Sequence, residues 1–428
     1  MSDADYPDSY YAATVNTKFR SPVLTGDLCA DVAVVGGGFS GLSAALELGQ
    51  KGYRVVLLEA RRLGWGASGR NGGQLLSGGF GDPGEMQKRY GAKTGELARS
   101  LGRECVRLVR ERIDSRSIDC DFKTGAFSAA LTSSQLKTLR QRYESLRDDA
   151  DPGSMSWYPR ERVHEVIGSE RYMGGYLDRS DGHLHPLKLC LAEAVLAREN
   201  GVEIFEHSPV IEVRHGARPV LRTENGNVTA EFVIVCCNAY LDGLVPALSG
   251  SVLPAGSFII ATEPLDDALA ARLLPLDSAV ADENVLLDYY RLSAEHRVLF
   301  GGRYSYRGSA PADISTALRR RIAKVFPALA EIRIDYSWGG KIGISPNRLP
   351  QLGRVAPNIY YAQGYSGHGV AQTHMAGKLL AEAIAGQAER FDVYAAIKKR
   401  RLPGGNRLAP AALGLALTYF RLRDVIGW

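Results

Sequence analysis

One glycine pattern does most to limit the folds open to this chain. The β-branched apolar run Val32–Val35 is followed by Gly36-x-Gly38-x-x-Gly41, a stretch of small apolar residues at helical spacing, and a second apolar run that ends at Glu59. This order of strand, glycine turn, helix, strand and terminal acid predicts a βαβ unit that binds a dinucleotide. The first glycine permits the turn, the second lets a pyrophosphate approach the backbone, and the third lets the helix pack on the strand.

The predicted binding residues of this unit lie in the turn, at the helix start and just after the second strand. A helix N-terminus offers free N–H groups and the positive end of its dipole to phosphates. Glu59 lies 18 positions after Gly41, close to the spacing of about 20 typical of the acid that binds the adenosine ribose. The predicted set is Gly36, Gly38, Phe39, Ser40, Gly41, Glu59, Ala60 and Arg61. The fingerprint alone leaves NAD and FAD open, because both contain an ADP half.

A second glycine-rich segment, Gly64–Phe80, follows the acid directly, and seven of its 17 residues are glycine. An NAD dehydrogenase would continue with regular βα units, whereas this loop suits a longer cofactor whose second half is held by backbone. A flexible surface linker is the alternative interpretation. The residues predicted to enclose the cofactor are Gly66, Ala67, Ser68, Arg70, Asn71, Gly72 and Gly73, with the three polar side chains as hydrogen-bond donors.

Composition excludes several classes of protein. A chain of 428 residues predicts two or three lobes. The net charge of +5 is mild and its Lys and Arg residues are scattered, which argues against a nucleic-acid partner. No run approaches the roughly 20 apolar residues of a membrane span, and no signal peptide is recognisable. The six cysteines have no CxxC spacing, so we expect reduced thiols in the cytoplasm and no metal site.

In its glycine turn, Glu59 and Gly66–Gly73, the chain resembles the D-amino-acid oxidase superfamily of FAD-dependent oxidoreductases. Within it, the chain is most similar to the gamma-glutamylputrescine oxidoreductases of bacterial polyamine breakdown. The resemblance extends to Asp8–Thr14, Gly182–Leu189, Ser345–Arg354, Tyr361–Val370 and Tyr419–Trp428. It implies an α/β (α+β) fold: a Rossmann-like FAD-binding domain of the glutathione-reductase-like type, and a second domain built on an antiparallel sheet.

Both domains are expected to be discontinuous in sequence. The FAD-binding domain is assigned residues 25–94, 165–245 and 338–395. The substrate domain is assigned residues 95–164 and 246–337, where alternating apolar and polar residues predict antiparallel strands. Residues 396–428 are expected to form a C-terminal tail that packs on the body, with docking on a membrane or on a partner chain as the alternative. The oligomeric state is left open.

The resemblance adds FAD-binding residues outside the first unit. The strand near Val210 is expected at the adenine, and the turn at Asn238–Ala239 beneath the ADP moiety. A second helix N-terminus, after the turn Gly367–Gly369, is expected at the pyrimidine edge of the flavin, where its dipole favours the reduced anion. A plain turn between strand and helix is the alternative there. The added residues are Val210, Asn238, Ala239, Gly340, Gly367, His368, Gly369 and Val370.

FAD is expected to bind without a covalent bond. One type of covalent relative uses a histidine in the loop after the ribose acid, but Leu63–Ser68 has none. Another type uses a late cysteine, and no cysteine follows Cys237. Cys236 and Cys237 lie in an apolar run and are interpreted as unreactive core thiols.

Substrate and catalytic residues are predicted on the strands outside the cofactor segments. Arg303 follows two glycines and could hold a carboxylate. Tyr290 and Arg291 form, together with Tyr289, a second substrate-binding cluster. Arg303, Lys341 and His368 are the predicted catalytic residues. Arg303 could face the flavin, Lys341 could stabilise charge near the ring, and His368 is expected at the pyrimidine end, where reduction leaves negative charge. A solvated surface residue is the alternative for the arginines and the lysine, and His183 and His185 are interpreted as structural.

The reaction implied by the resemblance is oxidation of a C–N bond in an amine. Hydride passes to the flavin, and the resulting imine hydrolyses to an aldehyde. The expected substrate is γ-glutamylputrescine or a related γ-glutamylated polyamine, with O2 or another electron acceptor. Two alternatives stay open. One is a D-amino-acid or N-methyl-amino-acid dehydrogenase that passes electrons to a quinone, and the other is a flavin-binding protein without turnover.

Overall fold

A computed structural model describes residues 6–148, 150–284, 287–305 and 314–399, with the backbone alone for 303–305. The α-helices within these ranges are α1 Tyr10–Thr14, α2 Phe39–Gln50, α3 Pro83–Tyr90, α4 Ala92–Ser115, α5 Ser133–Arg147, α6 Pro186–Glu199, α7 Asp267–Leu273, α8 Ile314–Val325, α9 Gly369–Ile384 and α10 Glu389–Ala395. The strands are β1 Gly26–Val35, β2 Val55–Leu58, β3 Gln74–Leu75, β4 Lys123–Ala130, β5 Met155–Pro159, β6 Gly174–His183, β7 Glu203–Phe205, β8 Glu212–Arg214, β9 Val220–Arg222, β10 Gly226–Val235, β11 Leu253–Thr262, β12 Ala279–Asp282, β13 Tyr289–Leu292, β14 Val298–Ser305, β15 Ile334–Ile344, β16 Gln351–Ala356 and β17 Ile359–Gln363.

The first sheet is a parallel sheet with the predicted βαβ unit at its centre. Its order is β16-β17-β10-β1-β2-β7, and β8 and β9 extend it beside β10. The strands from β17 to β7 run parallel, while β16 is antiparallel to β17. All four residues of β2 are buried, as expected for a strand covered on both faces.

Helices α2 and α9 cross closely on this sheet. A Cβ on Gly377 of α9 would lie 2.7 Å from the Ala44 nitrogen of α2, so glycine is needed at the crossing. Behind them, the fully buried Glu193 carboxylate accepts hydrogen bonds from Arg112 at 2.6 Å and from His374 at 3.0 Å. Because removing one member would leave a buried charge unpaired, this cluster ties α4, α6 and α9 together. The glycine contact and the buried cluster together fix the starts of α2 and α9 on the sheet.

The second sheet is antiparallel except where β12 runs parallel to β4. Its order is β15-β11-β14-β13-β12-β4-β6-β3, with β5 paired to β6. A two-domain α/β (α+β) fold with an antiparallel second sheet was predicted, and the structure confirms it. The sheet also takes in β6, although residues 165–245 were assigned to the FAD-binding domain, and β15 continues past the predicted boundary at residue 337.

An N-terminal segment joins the two halves. The Tyr11 ring lies 5.2 Å from the Trp338 ring of β15 and 4.8 Å from the His185 ring at the start of α6. His185 is buried, contacts the Thr14 hydroxyl at 3.1 Å and accepts the Lys188 N–H at 3.1 Å. The structural role predicted for His185 fits these contacts. Of the predicted C-terminal tail, residues 400–428 lie outside the described residues.

No helix within the described ranges is both long and apolar enough to cross a membrane.

Candidate cofactor and substrate site

A cavity of about 1290 Å³ lies between the two sheets. Its floor is formed by the carboxyl ends of β1, β2 and β10, and its roof by β11, β13 and β15. The carboxyl edge of a parallel sheet is where ligands bind in open α/β folds. Most of the predicted site residues line this cavity: Gly36, Gly38, Phe39, Ser40, Glu59, Ala60, Arg61, Gly66, Ala67, Ser68, Arg70, Asn71, Gly72, Val210, Asn238, Gly340, Lys341, Gly367, His368, Gly369 and Val370.

The first glycine turn brings bare backbone to the cavity. Gly36 has a φ of +106°, and a Cβ there would lie 2.9 Å from the Cys236 carbonyl oxygen. Gly41 does not line the cavity, but a Cβ on it would lie 2.0 Å from the Gly36 carbonyl oxygen, so it sets the turn from behind. Gly38 caps α2 without a side chain, and the Phe39 N–H donates to Ser68 Oγ at 3.0 Å. A helix start with this geometry suits a pyrophosphate.

Glu59 is placed to bind hydroxyl groups at the end of β2. One carboxylate oxygen accepts the Gly37 N–H at 2.7 Å and the other accepts the Arg61 N–H at 2.9 Å. Burial raises the pKa of Glu59, while these backbone donors act in the opposite direction. The carboxylate is held in position and each oxygen retains a second lone pair, as a ribose ligand requires.

The glycine loop after Glu59 is held in shape by Asn71. Its side-chain amide donates to the carbonyl oxygens of Ala67 and Ser68 at 3.0 and 2.8 Å, and its oxygen accepts the Gly73 N–H at 2.8 Å. Asn71 therefore shapes the loop with the hydrogen bonds that were predicted for the cofactor. Gly73, at a φ of +73°, lies outside the cavity lining and packs on the Leu184 carbonyl, which a Cβ would meet at 2.1 Å.

The hydrogen bonds of Arg70 indicate whether a cofactor fits this cavity. Its Nε donates to the Trp65 carbonyl at 2.6 Å, its Nη1 donates to the Gly339 carbonyl at 3.2 Å, and its guanidinium lies 4.0 Å from the Trp65 ring centroid. Its Nη2 is buried and has no partner among the described residues. Burial lowers the pKa of Arg70. A buried donor of this kind needs an acceptor, and the phosphates and ring carbonyls of FAD provide one.

Two further segments complete the cofactor side. Val210 lines the cavity from the extended chain just before β8, and so lies outside the strand in which it was predicted. Asn238 has a φ of +46° and its side-chain oxygen accepts the Gly364 N–H at 2.9 Å. Ala239 is buried and does not line the cavity. The hydrogen bond of Asn238 joins the end of β10 to the turn that precedes α9.

Helix α9 begins at the cavity as predicted. Gly367 has a φ of +101°, and the N-cap residue His368 makes no side-chain capping hydrogen bond. The pKa of His368 is lowered, first by the protein that surrounds the ring and then by the Arg348 and Arg142 cations. The result is a neutral imidazole near neutral pH beside an uncapped helix start.

Lys341 is exposed at the cavity rim, on β15. Its backbone N–H donates to the Tyr240 hydroxyl at 3.2 Å, and its Nζ lies 5.8 Å from the Tyr240 ring centroid. Arg303 is paired through its backbone with Phe258 on β11. Its side chain lies outside the described residues, so its predicted role stays a prediction.

Tyr290 and Arg291 do not lie where they were predicted. Strand alternation turns Tyr290 into the core of the second domain, where its hydroxyl donates to Tyr172 at 3.0 Å. Arg291 shares the face of Tyr289 but reaches behind the glycine loop and is 3% exposed. Its guanidinium donates to four oxygens: the carbonyls of Gly72 at 2.7 Å, Leu184 at 2.8 Å and Leu292 at 2.9 Å, and the Tyr11 hydroxyl at 3.1 Å. Neither residue lines the cavity, which corrects the prediction that they bind substrate there.

Tyr289 is the member of that cluster that faces the cavity. Its ring fits between two glycines, because a Cβ on Gly72 would lie 2.6 Å from it and a Cβ on Gly301 would lie 2.1 Å from it. Its hydroxyl is 3.4 Å from Ser257 Oγ on β11. Gly301 is its cross-strand partner, a pairing that the sequence alone does not give. Ser257 and the turn residue Arg348 were missed altogether.

The fold and the cavity define the class of enzymes that bind a flavin dinucleotide, with a substrate pocket covered by the second sheet. Residues 31–383 match the model of the family described as FAD dependent oxidoreductase (DAO). The chain is 42% identical over 424 residues to gamma-glutamylputrescine oxidoreductase of Escherichia coli (strain K12), with 99% of each chain covered. It is 39% identical to the probable oxidoreductase OrdL of Haemophilus influenzae, with 97% of each covered. Glycine oxidase from Geobacillus kaustophilus superposes with a TM-score of 0.70 at 23% identity, over 84% of this chain and 95% of that chain.

The chain therefore belongs to the DAO family of FAD-dependent oxidoreductases. The predictions of the family, of the enzyme class and of FAD as the cofactor are confirmed.

Proposed function

We propose that this enzyme oxidises the primary amine of a γ-glutamylated diamine, γ-glutamylputrescine or a close analogue, to the corresponding aldehyde. The observation that carries the proposal is the 42% identity, along 99% of both chains, to a gamma-glutamylputrescine oxidoreductase. In the overall reaction the CH2–NH2 end loses two electrons and two protons and becomes an imine. Water then hydrolyses the imine, so that the oxygen of water replaces the nitrogen and an aldehyde and ammonia are released. FAD, when bound, supplies the two-electron acceptor for the C–H bond next to nitrogen.

The residues of the roof support a long, flexible amine. Phe258 and Ile259 on β11, with Ala281 and Leu287 nearby, give the cavity an apolar wall that suits a chain of methylene groups. Tyr289 and Ser257 place two hydroxyl groups on the same roof. In this arrangement the apolar wall excludes water, and the hydroxyl pair orients the amine by hydrogen bonds.

The cofactor-side residues divide into ligands and supports. We propose that the α2 start binds the pyrophosphate and that Glu59 binds the ribose. The unpartnered Nη2 of Arg70 is assigned an oxygen of the cofactor, and the N–H groups at the start of α9 are assigned the pyrimidine edge. His368 and Lys341 are proposed to stabilise negative charge at that edge through the helix start and the ammonium group. Gly41, Gly73 and Ala239 are proposed to support the binding backbone without contacting FAD.

The test is a comparison of amines with the purified FAD-loaded enzyme. We expect kcat/KM for γ-glutamylputrescine to exceed that for putrescine, for D-alanine and for sarcosine. Parallel assays for peroxide and for reduction of a quinone analogue identify the electron acceptor. A clear preference for a D-amino acid or for sarcosine would overturn the proposed substrate class.

The pH profile gives a second readout. An aliphatic ammonium has a pKa of about 10 and must lose a proton before the C–H bond is oxidised. We therefore expect kcat/KM to rise with pH above neutrality. A flat profile from about pH 6 to about pH 10 would contradict oxidation of a neutral amine.

We further propose noncovalent FAD and a cytoplasmic location. Burial raises the pKa values of Cys236 and Cys237, which line the cavity, and this keeps both thiols protonated. All six cysteines are unpaired, which supports a reducing compartment. Flavin that stays with the precipitate after acid denaturation would contradict the noncovalent assignment.

A further inference from the structure

One arginine of the cavity wall adopts a backbone conformation that arginine disfavours. Arg348 has a φ of +57° in the turn between β15 and β16, and it lines the cavity. A non-glycine residue in this left-handed region is sterically strained, and such residues cluster at functional sites. The turn thus keeps an arginine where glycine would be less strained.

The turn that carries Arg348 is fixed on both sides. The Arg348 N–H donates to the Ser345 carbonyl at 3.0 Å, and Ser345 Oγ donates to the Leu349 carbonyl at 2.6 Å. The Ser345 N–H donates to Ser366 Oγ at 3.1 Å, and the Ser366 N–H donates to the Gly343 carbonyl at 2.9 Å. These bonds tie the turn to the segment that leads into α9. The side chain therefore starts from a rigid base, which reduces the entropy lost when it binds a ligand.

Within the part of the chain that the structure describes, the absence of side-chain partners distinguishes Arg348 from Arg70 and Lys341, two other cations of the cavity lining. Arg70 is held by two backbone carbonyls, and Lys341 lies against the Tyr240 ring. Arg348 is exposed, and among the described residues it has neither an ion pair nor a side-chain hydrogen bond. It is close enough to His368 that its charge helps to lower the pKa of that imidazole. The cavity thus presents a guanidinium that is available to an anion, beside the start of α9.

We propose that Arg348 binds the α-carboxylate at the γ-glutamyl end of the substrate and so selects acylated diamines over free diamines. This inference rests on the proposed function. A guanidinium fork matches a carboxylate with two parallel hydrogen bonds. The apolar roof would lie along the methylene chain, and the carboxylate would be held at the end remote from the reacting amine. In this role Arg348 determines specificity and takes no part in the oxidation.

The experiment compares Arg348→Met and Arg348→Gly with the wild-type FAD-loaded enzyme. Charge-assisted hydrogen bonds predict that each variant raises KM for γ-glutamylputrescine about 10- to 100-fold. For putrescine, which has no carboxylate, we expect kcat/KM to change less than about twofold. Arg348→Gly should keep or raise the melting temperature, because glycine relieves the left-handed backbone. Arg354→Met, which removes an arginine paired with Asp392 outside the cavity lining, is the matched control.

A binding measurement separates this inference from the proposed reaction. γ-Glutamyl-n-butylamide has the carboxylate but no oxidisable amine, and we expect its affinity by calorimetry to fall about 10- to 100-fold in Arg348→Met. If the wild type binds this ligand through Arg348 yet oxidises neither amine, the proposed reaction fails and the carboxylate site stands. Equal losses for both amines, unchanged binding of the butylamide, or no binding by the wild type would overturn the role of Arg348.

Discussion

The floor of the cavity is mainly backbone, whereas its roof is mainly side chains. On the floor, Gly36, Gly38, Gly66 and Gly72 bring N–H groups and bare α-carbons toward the ligand. On the roof, β11 and β13 present Phe258, Tyr289 and Ser257 from an antiparallel sheet. Backbone recognition depends on glycine at fixed positions, while side-chain recognition depends on which face of a strand meets the cavity. The floor can therefore serve one cofactor in many relatives, and the roof can change with the substrate.

The largest expected effect comes from breaking the floor. In Gly41→Ala the new methyl would lie 2.0 Å from the Gly36 carbonyl oxygen, which is backbone and cannot rotate away. We expect a loss of about 3 kcal/mol or more in stability, or a protein purified without flavin. Flavin content and the melting temperature measure both effects. Gly216→Ala is the control, since a Cβ there meets nothing closer than 3.7 Å, and equal behaviour of the two variants would contradict the packing role of Gly41.

Arg291→Met tests the joint between floor and roof. The variant removes four hydrogen bonds, including the one to the Gly72 carbonyl at 2.7 Å. Because three of the acceptors are carbonyls that lose their donor, we expect a stability loss of about 2–4 kcal/mol in denaturant unfolding. Arg54→Met, which breaks an exposed pair, is the control and should cost much less stability. A large increase in KM with unchanged stability would restore the substrate-binding role first predicted for Arg291.

Arg70→Met tests whether the floor also uses side chains. Removing the buried Nη2 donor should weaken FAD binding about 10- to 100-fold, measured by titration of the apoprotein with FAD. Arg110→Met is the control, because its partly buried guanidinium donates to the Ser180 carbonyl in the second sheet. Unchanged FAD affinity in Arg70→Met would mean that Gly66–Gly73 holds the cofactor through backbone alone.

A smaller effect is expected at a buried acid of the second sheet, Asp282 on β12. The pKa of Asp282 is raised from 3.8 to about 7, first by burial and then by the nearby Asp288 carboxylate. The folded state therefore keeps a proton that the unfolded state releases, so this group lowers stability as the pH rises from about 4 to about 7. We expect Asp282→Asn to stabilise the protein by about 1 kcal/mol at about pH 8 and to have little effect near pH 4.

The opposite sign is expected at Asp335, whose pKa is lowered by its hydrogen bonds to Arg297 and Arg333. Its contribution is present above its unfolded pKa and is lost as the pH falls. Asp335→Asn should therefore lower stability slightly near neutral pH. If Asp282→Asn also destabilised the protein at about pH 8, the account of Asp282 as a buried acid would be wrong.

The contrast between floor and roof also explains how far the sequence could be interpreted. Gly36, Gly38 and Gly41 encode a backbone path through their spacing alone, so the βαβ unit, its acid Glu59 and the later turn at Gly367–Gly369 could be located. Asn71 shows the limit, because its side chain holds the loop with the donors that were predicted for the ligand.

Substrate-facing residues could not be assigned in the same way. Tyr289 and Tyr290 are adjacent and chemically alike, and strand register alone decides which of them faces the cavity. Nothing in the sequence around Arg291 indicates that its guanidinium donates hydrogen bonds to carbonyl oxygens distant in the chain. Arg348 lies in a segment, Ser345–Arg354, whose resemblance was recognised, but its left-handed backbone has no sequence signal when the residue is not glycine.

We propose that one cavity holds FAD on its glycine floor and a γ-glutamylated amine under its roof. The most direct test is anaerobic titration of the FAD-loaded enzyme with γ-glutamylputrescine, with flavin absorbance, aldehyde and ammonia measured together. We expect the yellow colour to be lost, with one aldehyde and one ammonia formed for each FAD reduced. An enzyme that retains oxidised flavin with excess γ-glutamylputrescine, yet is bleached by D-alanine or sarcosine, would contradict it.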